Sequence, residues 1–159
     1  MTQPRPNPGL EPYLALLDEA FERKAWHGPN LRGSVRGLSA KRAAWRAGPS
    51  RHSIWEIVVH AAYWKYAVRR RLTGQKRGSF AYPGSNWFAR PSTPDDAAWR
   101  RDVARLVEEH RQLREVVARL SRADLAAGGG GSARMIRGIA AHDLYHAGQI
   151  QLLKRLGPR

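Results

Sequence analysis

An all-α fold, a four-helix bundle, is what the sequence predicts, on three observations. Four segments repeat apolar residues at helical spacing, Gly and Pro clusters punctuate the gaps, and capping residues stand where the long segments begin. A chain of 159 residues fits one domain and can bury a core without disulfides, and it contains no cysteine. The expectation is one helical domain over 1–159, with residues 1–8 flexible.

The first helix is expected from about Gly9 to Trp26, where Leu10, Leu14, Leu17 and Phe21 alternate spacings of four and three and so form one stripe. "HGPN" ends it. Leu31 to Trp45 is less regular and reads as short helical turns, stopped by Gly48 and Pro49. Ser53, with Glu56 three residues on, is a capping box for a second long helix that runs to about Leu72. Gly74 to Pro91 follows as a long loop carrying Phe80, Tyr82, Trp87 and Phe88. Thr93 as N-cap, Pro94 at the first position, and Asp95 and Asp96 against the positive end of the dipole announce a third helix, ending near Leu120. "AAGGGGS", residues 126–132, reads as a flexible connector, after which Ser132 or a neighbour opens the fourth helix. Gly157 and Pro158 close it. No internal repeat is visible.

Four amphipathic helices joined by turns pack most simply as an antiparallel bundle, whose sites are built from side chains on facing helices. Inward polar residues are therefore informative. On the fourth helix His142 and His146 lie about 40° apart at 100° per residue. Met135, Ile139, Gln149, Leu153 and Leu156 share their stripe, while Arg137, Gln151 and Arg155 fall opposite. On the second helix the same arithmetic groups His60 with Glu56 and Tyr63 or Trp64, and assigns Lys65 and Arg69 to the solvent side.

A buried imidazole without a partner is costly. Histidines at i and i+4 can chelate one ion from a single helix, and a third from a facing helix completes a set that leaves positions open for water or substrate. His60, His142 and His146 are thus the candidate metal ligands. Glu56 is a candidate base or ligand-orienting group as well as a cap, and Gln149, one turn after His146, a candidate pocket or ligand-bonding group. His110 shares the third helix's stripe with Trp99, Val103, Leu106, Leu113, Val117 and Leu120, as a core histidine or a group near the site. His27 and His52 belong to loops, where substrate contact and ordinary turn chemistry are both open. Trp55, Trp64, Trp87 and Trp99 can line a pocket or fill the core.

The stretches "HSIWEIVVHAAYWKYAVRRRLTG" and "IRGIAAHDLYHAGQIQLLKRL" resemble the DinB/YfiT-like superfamily, and "AWHGPNLRGSVRGLSAKRAAWRAG" is similar to the segment between its first two helices. The resemblance implies an all-helical bundle that binds a divalent metal through one histidine of the second helix and an H-x-x-x-H pair of the last. Those positions fall on His60, His142 and His146. It further implies a thiol-dependent transferase or isomerase acting on a small molecule, and a homodimer. Histidine nitrogen itself suits zinc or nickel first, with iron or copper as alternatives, and such an ion can also activate water, so a metal-dependent hydrolase is equally open. Because the chain has no cysteine, a transferase of this kind would take its thiol from a low-molecular-weight cosubstrate.

The same lack of cysteine excludes thiolate ligands, cysteine nucleophiles and disulfides. "MTQPRPNPGLEP" lacks a signal-peptide apolar run and no segment approaches a membrane span, so a cytoplasmic protein without membrane contact is expected. Lys and Arg number 28 against 13 Asp and Glu, a formal charge of +15, and between Leu31 and Arg77 Glu56 is the only acid. This makes a basic module that grips nucleic acid or another polyanion the alternative function, with any metal only structural. No recognition helix, phosphate loop or RNA-binding aromatic motif supports it.

Overall fold

The computed structural model describes residues 9–91 and 93–158; the flexible stretch expected at residues 1–8 lies outside them. Among the described residues there are six helices and no strand: α1 Glu11–Phe21, α2 Leu31–Val35, α3 Ala40–Ala44, α4 Ile54–Thr73, α5 Asp96–Ala118 and α6 Arg122–Leu156. The all-α expectation holds. No helix among them is long and apolar enough to cross a membrane.

Local chemistry explains most of the boundaries. The expected stripe of α1 is buried, and the helix stops at Phe21, short of Trp26, where Glu22 leaves helical geometry. Asn30 and Ser39 cap α2 and α3, the short turns expected between Leu31 and Trp45. Ser53 and Glu56 form the expected capping box on α4, and Gly74, with φ of 68°, ends it in the left-handed conformation that suits glycine.

Two starts are corrected. Asp95, not Thr93, caps α5, its carboxylate accepting from the Ala97 N–H at 2.8 Å. Asp96 is then free to accept from the Ala40 N–H at 2.8 Å, which ties α3 to α5. The glycine run is not a connector, and Ser132 opens nothing: α6 begins after Ser121, whose capping box with Asp124 nucleates the helix one segment earlier. Glycine costs a helix up to about 1 kcal/mol per residue, and here the cap and the burial of Leu125 and Ala133 beside α1 outweigh it. Gly128 keeps a local irregularity, with φ of 61°.

Each long helix touches two others in a closed cycle, α1 to α5, α5 to α4, α4 to α6 and α6 to α1. Apolar side chains gather in two clusters. One surrounds Trp55, Val58, Trp99, Leu106 and Ile150, and the other Leu14, Leu17, Leu113, Ile136 and Ala140. Along α4, α5 and α6 the members of one cluster precede those of the other, and between them come Lys65, His110 and Asp143, with His60, His142 and His146 at the same level. A polar layer thus divides the core.

Lys65 and Arg69 do not face solvent. Because α4 packs against both α5 and α6, the side opposite His60 is covered too: Lys65 is fully buried against Asp143 and His110, and Arg69 pairs with Glu109 at 3.2 Å. The stripe of α6 is also rotated from expectation. Ala133, Ile136, Ala140, Asp143, Ala147 and Ile150 form its buried centre, the histidine side is a shoulder, and Leu156 lies outside it, 60% exposed.

Candidate metal centre

The capping box of α4 sets the phase of that helix, and two turns later His60 points to α6. On α6 the i, i+4 spacing places His142 and His146 on its shoulder facing α4. All three Nε2 atoms converge. His60 Nε2 is 3.0 Å and His146 Nε2 3.1 Å from His142 Nε2. Two nitrogens on one tetrahedral zinc ion stand about 3.3 Å apart, so the spacing fits a shared ion, and these residues form a group able to hold one.

The outer nitrogens decide which way the lone pairs point. His60 Nδ1–H donates to the Asn86 carbonyl at 2.8 Å, and His146 Nδ1–H to Gln149 Oε1 at 2.7 Å. Each bond leaves Nε2 as the acceptor toward the centre, as metal-ligating histidines require. Gln149 is itself held, its Nε2 donating to the Tyr145 hydroxyl at 3.0 Å. His142 Nδ1 is buried without a hydrogen-bond partner among the described residues.

Burial lowers all three pKa values. The His60 imidazole falls to about 4, through desolvation opposed by the Asn86 carbonyl, and His142 to about 3, through desolvation and its two neighbouring histidines. His146 is lowered by desolvation, against the pull of Gln149. At neutral pH the centre therefore presents three uncharged imidazoles, those of His60 and His146 with their Nε2 lone pairs turned inward. The inward lone pairs of His60 and His146 both lie at hydrogen-bond distance from His142 Nε2, which has at most one proton to offer them, and a cation among the three nitrogens satisfies all of them.

The long loop supplies what the sequence left open. Asn86, at φ of 66°, adopts the left-handed conformation that asparagine tolerates. This turns its carbonyl to His60 while its side-chain oxygen accepts from Trp64 Nε1 at 2.9 Å. Trp87 lies between two imidazoles, 3.8 Å from the His60 ring and 3.6 Å from that of His52, nearly parallel to both. Trp64 and Trp87 flank the centre, whereas Trp55 and Trp99 are core, their indole N–H groups satisfied by Asp102 and the Leu38 carbonyl.

Glu56 is buried, and its carboxylate accepts from the Ser53 N–H at 2.9 Å and from Arg46 at 2.7 Å. Burial opposes its charge, but those bonds and the nearby guanidinium outweigh it and hold the carboxyl below its usual value. His110 is a core residue stacked on Phe21, with Nδ1 3.2 Å from Lys65 Nζ. His27 is exposed on the α1–α2 connection.

Lys65 and Asp143 were not foreseen. Their side chains are fully buried and form an ion pair joining α4 to α6, next to His142 in the chain. Burial pushes Lys65 down and Asp143 up, and their contact opposes both shifts. An aspartate following His142 inside an apolar stripe was the available signal; its partner lay 78 residues away.

Beside the centre, a cleft of about 460 Å³ opens between the residues preceding α4 and the C-terminal half of α6, with His146 and Trp87 in its wall. A family model for the DinB superfamily matches residues 24–150, whereas no curated protein and no solved structure matches the chain. That match covers most of the sequence and contains all three converging histidines, and the chain belongs to the DinB superfamily.

Proposed function

We propose that this chain is a metal-dependent enzyme built on a four-helix bundle of the DinB/YfiT-like type, one domain over residues 1–159, with His60, His142 and His146 as ligands of a divalent ion. The reaction class that suits it is transfer from a low-molecular-weight thiol to a small molecule, or hydrolysis of a small molecule. The observation that carries this reading is the convergence of three neutral imidazoles through Nε2, two of them fixed by outer hydrogen bonds.

Imidazole nitrogen suits zinc or nickel first, and iron or copper as alternatives. When bound, such an ion supplies a Lewis acid that acidifies a water or a thiol. The chain's own residues do the rest. Asn86 and Gln149 orient His60 and His146, Trp87 shields the His60 ring from the cleft, and the Lys65–Asp143 pair holds α4 and α6 in register. Gln149, next to both His146 and the cleft, is the better placed of the two polar candidates to meet a substrate, while the bonds of Glu56 to Ser53 and Arg46 favour its capping role. A cytoplasmic homodimer belongs to the same proposal.

Several arginines that a polyanion-binding module would use are engaged internally, Arg46 with Glu56, Arg90 with Asp102 and Arg114 with Asp18. Elemental analysis of protein purified without a histidine tag or added metal tests the enzyme reading. About one equivalent of a transition metal per chain is expected, lost in His146→Ala while helicity is retained. A native protein that carries no such metal and takes none up on dialysis against zinc or nickel overturns it.

A further inference from the structure

The geometry points to a ligand class for the cleft beside the centre: a small hydrophobic carboxylate, its apolar body lying on α6 and its anionic group meeting Arg51. Calling this ligand the substrate rests on the reading of the three-histidine centre as a reaction site; its binding does not.

At about 460 Å³ the cleft falls within the roughly 300–1,000 Å³ typical of small-molecule sites. Ile57, Leu152, Leu153 and Leu156 make much of its lining, with the Trp87 ring beside them. Leu152 is 59% exposed and Leu156 60%, and Tyr145 on the same helix 63%. Apolar side chains clustered in the open at a concave site mark a place where something apolar binds.

Charge selects among apolar ligands. Among the described residues Arg51 is the only Lys, Arg, Asp or Glu in the lining. Its carbonyl accepts from Arg46, but its guanidinium has no hydrogen-bond or ion-pair partner among the described residues. Glu56 approaches His52 Nδ1 at 3.5 Å yet is buried, bonded to Arg46, and outside the lining. Among the described residues the cleft thus offers one guanidinium without a partner and no carboxylate. A carboxylate completes it, whereas an amine or a dication would meet Arg51 uncompensated. His146 also belongs to the lining, so the cleft that would hold the carboxylate adjoins the three-imidazole centre.

Isothermal titration calorimetry with octanoate, and with octanamide as its neutral counterpart, tests this on metal-free and metal-loaded protein. Saturable octanoate binding is expected in both forms, about tenfold tighter than octanamide, the difference one charge-assisted hydrogen bond makes at a partly open rim. Arg51→Gln should remove that preference and Leu152→Asp should weaken octanoate most; both residues are exposed, so neither change threatens folding. Absence of saturable octanoate binding, equal affinity for octanamide, or an unchanged Arg51→Gln variant overturns the inference. So does a dimer in sedimentation velocity that Leu152→Asp converts to monomer, since a second copy would then cover the leucines. Metal uptake without octanoate binding defeats this inference alone; octanoate binding without metal uptake defeats the enzyme reading alone.

Discussion

Replacing Lys65 with Met removes the cation from an ion pair whose two side chains are fully buried. The Asp143 carboxylate would be left in the core with one oxygen, Oδ1, already without a hydrogen-bond partner among the described residues. Breaking a buried pair from one side costs about 3–5 kcal/mol, because the remaining charge is neither solvated nor compensated. Against a total stability of about 5–15 kcal/mol this is a large share. The double variant Lys65→Met, Asp143→Leu removes both charges at similar volume and should recover to within about 1 kcal/mol of the native chain or exceed it. Urea unfolding followed by far-ultraviolet circular dichroism, on metal-free protein so that bound ion does not mask the difference, measures all three. If Lys65→Met falls within about 1 kcal/mol of native, or the double variant is no more stable than the single, the two charges do not compensate each other in the core as described above.

The metal-free protein should be acid-labile well above the carboxylate range. His60, His142 and His110 are held near about 4, about 3 and about 2, below their unfolded value of about 6.5. The unfolded chain therefore binds more protons as pH falls through that window, and each imidazole removes up to about 1.4 kcal/mol of stability per pH unit. Urea midpoints that stay level from neutral pH to the carboxylate range would contradict this. Asn86→Ala forfeits the bond to Trp64 and strains a left-handed residue, loosening the carbonyl that orients His60; zinc affinity in a chelator competition should fall about 10–100-fold, and less in Asn86→Gly, which keeps the backbone conformation. Equal affinity in Asn86→Ala would mean that the loop does not set the ligand. Within α6, Gly131→Ala should stabilise by up to about 1 kcal/mol, since a Cβ there meets open space. Gly128→Ala should destabilise by about 1–2 kcal/mol because of its positive φ. Thermal melts with the same sign for both would show that the run is not helical as described.

How much could be seen in the chain depended on the range of the interaction. The capping box at Ser53, the stripe of α1 and the i, i+4 histidines are local, and local spacing converts directly into direction on a helix. The glycine run misled because composition favours a connector, while the helix there rests on a cap at Ser121 and on burial against α1, a contact far away in sequence. Lys65 misled for a related reason: with α4 covered on opposite sides, helical phase alone cannot tell a solvent face from a second buried one.

By itself, then, the sequence determined that the chain is helical, that it has no cysteine chemistry, and that three imidazoles project from two helices toward one side. Tertiary structure alone decided that those imidazoles meet, that Asn86 and Gln149 fix two of them, that Trp87 covers His60, and that a buried Lys65–Asp143 pair ties the two helices together. The physical reason is that periodicity carries angle but not distance. Which faces touch, and which loop residue reaches a ring nitrogen, follows only once the packing of whole helices has been settled by the burial of their apolar surfaces.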